Sequence, residues 1–276
     1  VNDAPALKNA DIGIAMGQNG TDVAKNASDM ILTDDNFVTI VEAVKYGRTI
    51  FNNIRKAIHF LIATNVGEIV TIFLGLLIGM RSPLLAIQLL WINLITDSLP
   101  AIALGLDNPE KDIMNHKPRN PKKSIFADGL WGKIIVEGIM IGVLNLLAFS
   151  IGRRYSLDVA RTMAFVSLGL LELVHSFNIR SEESIFKTGI FQNKYLCLAF
   201  LGGALLQIIV VIVPSWAEVF KLTNLTTKQW LCTIGISLMP IALIEVQKFC
   251  NGFMFGKVVR ANETSEEHES KRFGLS

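Results

Sequence analysis

The chain is 276 residues long, 51% hydrophobic and only 18% charged, with a mean hydropathy of +0.43. That balance lies outside the range of soluble domains of this length and argues for a protein that crosses a membrane several times. A net charge of +2 is too small for nucleic-acid recognition, and Cys197, Cys232 and Cys250 lack the paired spacing of a zinc site or a disulfide framework.

The first forty residues differ in character from the rest. The polar Asn2-Asp3-Ala4-Pro5 opening reads as a turn rather than a signal peptide. ADIGIAMG is a short apolar strand ending on glycine, GTDVAKNASDMIL a helix capped by Thr21 that runs into a second strand, and TDDNF a turn. Residues 1–37 therefore look like the tail of an α/β domain. From Phe37 to Arg55, the positions of Val38, Val41, Val44 and Ile50 among Lys, Arg and Glu predict an amphipathic helix. No proline or glycine pair interrupts residues 48–66, so this stalk, placed at 38–58, continues into the first membrane segment. A helix shared in this way is a natural lever.

About 20 apolar residues in helical form cross a bilayer core. Six segments approach that length, at 59–80, 84–106, 129–151, 160–178, 195–214 and 229–248. The expected fold is mainly α: a six-helix transmembrane bundle over 59–250, preceded by the α/β remnant and followed by a solvated cytosolic tail at 251–276. Basic residues gather in alternate loops: Lys45, Arg48, Arg55 and Lys56 before the first span, Lys111, Lys117, Arg119, Lys122 and Lys123 in the second loop, and Arg180, Lys187 and Lys194 in the fourth. The positive-inside rule puts those loops and both chain ends in the cytosol, with Arg153 and Arg154 a local exception. Trp216 and Trp230, near span ends, suit an aromatic belt.

Within this apolar frame a few polar side chains are costly and need a reason. Asn65 and Glu68 share a face of the first span. Asn93, Thr96 and Asp97, in LLWINLITDSLP, share a face of the second. Pro100 lacks the N–H that would bond the Thr96 carbonyl, which leaves that oxygen available to a ligand. Glu172, in the fourth span, is a further intramembrane carboxylate. Carboxylates, amides, a hydroxyl and carbonyls are all hard oxygen donors, the set that calcium prefers. The competing readings are hydrogen-bonded glue between helices for Asn65, Asn93 and Thr96, and a neutral Glu172 bonded to His175 or to another helix.

The opening VNDAPALKNADIGIAMG, followed by GTDVAKNASDMIL, resembles the hinge signature of P-type ATPases, whose full form begins just upstream of Val1. In that family a phosphorylation domain of the haloacid-dehalogenase-like (HAD-like) α/β class ends here and feeds the fifth membrane helix. The resemblance implies that Asn2 and Asp3 support magnesium and phosphate chemistry at the phosphorylated aspartate. NVGE, WINLITDSLP and the loop DNPEKDIMNHKPRNPKKSIF are similar to the sarco/endoplasmic-reticulum type of calcium pump and its bacterial relatives.

Carried over by position, Asn65, Glu68, Thr96, Asp97 and Glu172 match the ligands of one calcium site, and Asn93 with the shared Asp97 part of a second. The other ligands of that second site belong to a Pro-Glu-Gly-Leu helix that these residues do not contain. The family mechanism implies phosphoryl transfer from ATP with magnesium to an upstream aspartate, tilting of the stalk, and release of calcium on the far side against protons on Glu68 and Glu172. No Asp-Lys-Thr-Gly run is present, so the chain alone is expected to be inactive. Its partners are expected to be the missing actuator domain, nucleotide-binding domain and first four membrane helices of the same pump, together with a lipid bilayer and no nucleic acid. The location implied is an integral membrane, the plasma membrane in a bacterium. A pump for sodium or manganese and a non-catalytic membrane module are the alternatives.

Overall fold

A computed structural model describes residues 2–110, 112–115, 117–120 and 122–272, with side chains described up to Cys250. Val1 and Lys111, used in the sequence reading, and the side chains of the proposed tail at 251–276 lie outside the described residues. The chain divides into two compact units: one comprises residues 1–52 with Asn108–Asn120, the other Asn53–Asp107 with residues 121–276.

The first unit opens with α1 (Ala4–Asn9), β1 (Ile14–Met16), α2 (Asp22–Ala27) and β2 (Met30–Leu32). The two strands pair in parallel, Ile14 with Met30 and Met16 with Leu32. Thr21 caps α2 through its hydroxyl, which accepts from the Ala24 N–H at 3.3 Å. Two carboxylates close the connections. Asp29 Oδ2 accepts from the Gly13 N–H at 2.9 Å, and Asp35 accepts from the N–H groups of Gln18 and Asn19, both at 2.8 Å. Asp35 holds a left-handed φ of 50°, which a residue with a short polar side chain tolerates. These bonds hold the Asp35 carboxyl below its ordinary value, the Gln18 N–H being the main cause, and the Thr39 hydroxyl does the same for Asp34. Loop 108–120 belongs to this unit, where Arg48 donates to the Ile113 carbonyl at 2.9 Å and the Arg119 guanidinium lies 4.1 Å from the Phe51 ring centroid.

α3 (Val38–Leu77) is a single 40-residue helix that contributes to both units. At 1.5 Å per residue it is about 60 Å long, twice a hydrocarbon core. The second unit continues with α4 (Ala86–Trp91), a π-helical turn (Ile92–Asp97) and α5 (Ser98–Gly105), which together form one span. α6 (Leu130–Gly152), α7 (Leu157–Ile179), the short α8 (Ile185–Thr188), α9 (Lys194–Ile212), α10 (Pro214–Val219) and α11 (Thr227–Arg272) follow.

Among the described residues five helices are long and apolar enough to cross a membrane: α3, the α4–α5 composite, α6, α9 and α11. The fourth expected span, 160–178, is α7, which is not one of these five; its side chains from Met163 to Ser176 are all buried, so it forms the centre of the bundle rather than a lipid-facing wall. Serine, glutamate, histidine and asparagine on α7 meet protein instead of hydrocarbon, which is where a membrane protein accommodates them.

Close approach sets the packing of α3 on α6. A Cβ at Gly138 would stand 2.5 Å from Val66 Cγ1 and 2.9 Å from the Ala63 carbonyl, and one at Gly142 would meet Val70 and the Gly67 carbonyl at the same distances. Small residues four apart let two backbones touch where lipid supplies no hydrophobic drive. α9 is tied in by Gln207, whose amide donates to the Phe165 carbonyl at 2.8 Å and accepts from the Trp91 indole at 3.0 Å. One end of the bundle is closed by a buried ionic knot: Arg180 Nε lies 3.2 Å from Asp107 Oδ1, and Lys56 lies 3.5 Å from Oδ2.

Candidate cation site

The polar residues of α3 and of the π-helical turn meet as two matched rungs. Thr64 Oγ1 donates to Asp97 Oδ2 at 2.9 Å, and one turn along, Asn93 Nδ2 donates to Glu68 Oε1 at 2.7 Å. Each helix thus presents a carboxylate and a donor four residues apart, and the donor of one holds the carboxylate of the other. Antiparallel neighbours with i, i+4 pairs on facing sides produce this arrangement.

Glu172 approaches from α7. It is fully buried, and its Oε2 lies 3.5 Å from Thr96 Oγ1. Thr96 is also fully buried, with its hydroxyl donating to the Ile92 carbonyl at 2.9 Å. Two oxygens are left over. Asp97 Oδ1 and Glu172 Oε1 are buried without a hydrogen-bond partner, on adjacent helices. A buried carboxylate oxygen with nothing to accept is expensive unless a proton or a cation sits against it.

The π turn explains how Asn93, Thr96 and Asp97 reach their places. The sequence pattern assumes an α-helical face, but residues Ile92–Asp97 wind more widely. Pro100 has no N–H, and its ring crowds the carbonyl four residues earlier, that of Thr96; loosening the turn before it relieves that clash. Ser98 takes up slack by donating to the Asn93 carbonyl at 3.1 Å.

Of the residues singled out by sequence, Glu68, Asn93, Thr96, Asp97 and Glu172 gather here. Asn65 does not: it is exposed, and its amide donates back to the Leu61 carbonyl at 2.5 Å. The histidine offered as a partner for Glu172 lies elsewhere, His175 Nε2 standing 3.3 Å from Glu137. Thr64 escaped the sequence reading, although its spacing to Glu68 repeats that of Asn93 to Asp97. Asn2 and Asp3 belong to the first unit, where the Asp3 carbonyl accepts the first helical bond of α1 from Leu7 at 2.9 Å. Among the described residues no three His, Cys, Asp or Glu side chains converge tightly enough to hold a metal ion unaided. The carboxylates come instead as one adjacent pair and a third member a turn away, interleaved with hydroxyl and amide groups.

Residues 81–250 match the family described as "Cation transporting ATPase, C-terminus". The chain is similar to Calcium-transporting ATPase 1 of Bacillus cereus, with 46% identity over 267 residues, covering 90% of this chain and 30% of that protein. It is 48% identical over 247 residues to a Calcium-transporting ATPase of Bacillus subtilis, covering 88% and 28%. The human Calcium-transporting ATPase type 2C member 1 is 37% identical over 273 residues, covering 98% of this chain and 29% of its own length. The chain therefore spans about 30% of the length of these relatives. With the family's pattern matched over more than half of its residues, and with polar side chains of three helices drawn together inside an apolar bundle, the chain belongs to the cation-transporting ATPases as their C-terminal portion.

Proposed function

We propose that this chain is the transport part of an ATP-driven calcium pump that moves calcium out of the cytosol. Support comes from the two buried carboxylate oxygens of Asp97 and Glu172 that lack a partner, set beside Glu68, Thr96 and Asn93. These are hard donors, and an oxygen-rich helix from the part of the pump outside this chain would complete the shell. The names of the Bacillus relatives agree with calcium as the cargo.

In this reading Glu68, Asn93, Thr96, Asp97 and Glu172 bind the ion, and Asn65 joins them only after a change in α3. Asn2 and Asp3 support magnesium and phosphate at an aspartate phosphorylated from ATP in the part of the pump outside this chain. Phosphorylation acts on α3, the one long helix common to both units. The protein lies in a lipid bilayer with both ends in the cytosol, in the plasma membrane of a bacterium. As a translocase it needs its actuator and nucleotide-binding domains, and this chain by itself hydrolyses no ATP.

The deciding experiment is Asp97→Asn in the full-length protein. Calcium-dependent phosphorylation from ATP is expected to disappear, while phosphorylation from inorganic phosphate, which needs no bound calcium, persists. A variant that still forms phosphoenzyme at the normal calcium concentration removes Asp97 from the site.

A further inference from the structure

Away from the candidate cation ligands, α3, α6 and α7 bring a second set of ionisable groups together. His59 Nε2 stands 2.7 Å from Glu137 Oε2, with both residues under 10% exposed. His175 Nε2 lies 3.3 Å from that same oxygen but off line for a hydrogen bond; the ring is fully buried, and neither of its nitrogens has a partner. A cavity of about 290 Å³ borders the cluster, lined by His59, Glu137, Asn178, Lys133, Glu182 and Lys248 among others. Asn178 is 3% exposed, and both ends of its amide are unpartnered. The cavity has both polar and apolar walls, is larger than a few water molecules, and reaches the surface at the exposed Glu182.

The charges around it balance with one exception. Lys133 pairs with Glu182. Lys248 lies 4.0 Å from Glu245 and donates to the carbonyls of Asn178, Ser181 and Glu183. Among the described lining residues that leaves Glu137, whose immediate neighbours are two imidazoles. With both rings neutral the cluster carries a buried negative charge; one added proton cancels it, and a second would leave a buried positive charge. Two imidazole nitrogens within 3.3 Å of one carboxylate oxygen, one of them at hydrogen-bond distance, suit a proton. A zinc-like ion instead needs its donors spread around a common point about 2 Å from each.

We propose that His59, Glu137 and His175 form a binding site for a single proton, distinct from the candidate cation ligands and filled from water through the cavity. The site takes one proton and refuses the next. It is independent of which cation is transported, and its readout requires neither calcium nor ATP.

The test is nitrogen-15 NMR of histidine-labelled intact protein in nanodiscs, with His59→Gln and His175→Gln assigning the ring signals. At about pH 5.5, where an ordinary exposed histidine is charged, one imidazolium is expected from this pair, not two. Glu137→Gln should abolish it, because the added charge then has nothing to cancel. Two charged rings, or none, overturn the proposal. If Glu137→Gln does not fold, His175→Gln decides: His59 then keeps the one proton beside Glu137, and a neutral His59 refutes the site. Loss of calcium-dependent phosphorylation in any variant bears only on the transport reading.

Discussion

Thr64 and Asn93 decide the geometry of the candidate site although neither carries charge. Each donates to one oxygen of a carboxylate on the facing helix, and at Asp97 the other oxygen stays buried without a partner. A hydrogen bond to a charged group contributes about 1.5–3 kcal/mol. Thr64→Val is therefore expected to weaken cation affinity by about tenfold or more, read as the calcium concentration at half-maximal phosphoenzyme in the full-length protein; an unchanged midpoint removes Thr64 from the set. Arg180 illustrates the opposite balance. It and Asp107 are both under 10% exposed, so Arg180→Met leaves a buried carboxylate with only Lys56, and stability should fall by about 3 kcal/mol. A detergent thermal-unfolding curve unmoved by the substitution refutes that ledger. In the first unit, Asp35 titrates below its ordinary value, so its contribution to holding the Gln18–Asn19 turn is present above about pH 4 and is lost as the pH falls through the folded value. Amide exchange at Gln18 and Asn19 should accelerate, beyond the intrinsic rate, in that acid range.

Two elements of this fold carry more constraint than their composition announces. α6 presents Gly138 and Gly142 to α3, where a methyl group has no room, while Gly132 on the same helix has open space. Gly138→Leu should separate the helices at a cost of about 1–3 kcal/mol or more, and Gly132→Ala should be neutral or stabilise by up to about 1 kcal/mol. Equal effects of the two on thermal stability would contradict the close-packing account. The π turn is the other such element. Pro100→Ala removes the clash that widens it, so Ile92–Asp97 should relax toward an α-helix, stability should not fall, and the Thr64–Asp97 and Asn93–Glu68 rungs should slip. A cation affinity untouched by this change would show that the π register is incidental. Secondary structure at this scale was largely readable beforehand: five of the six apolar runs fall on helices long and apolar enough to cross a membrane, because burying a helical backbone in lipid requires an uninterrupted apolar run. The π turn was not, since the same residues satisfy an α pattern until Pro100 is considered against the carbonyl it meets.

At the scale of the molecule, one apolar bundle and one small α/β unit share a single 40-residue helix, and about 70% of each curated relative lies outside this chain. The exposed apolar residues of α3, Ile69, Phe73 and Leu77 among them, are what a membrane helix shows to lipid or to further helices of the same protein. Composition and hydropathy were enough to establish a membrane bundle and to mark Glu68, Asp97 and Glu172 as anomalies, because a carboxylate among twenty apolar residues is conspicuous in one dimension. Which oxygens remain unpartnered, why Asn65 stands apart, and that His59, Glu137 and His175 meet at all could be learned only from the packed chain. Those residues lie on three helices separated by up to 116 positions, and contacts across such distances follow from how helices cross, a property that spacing along one helix does not encode.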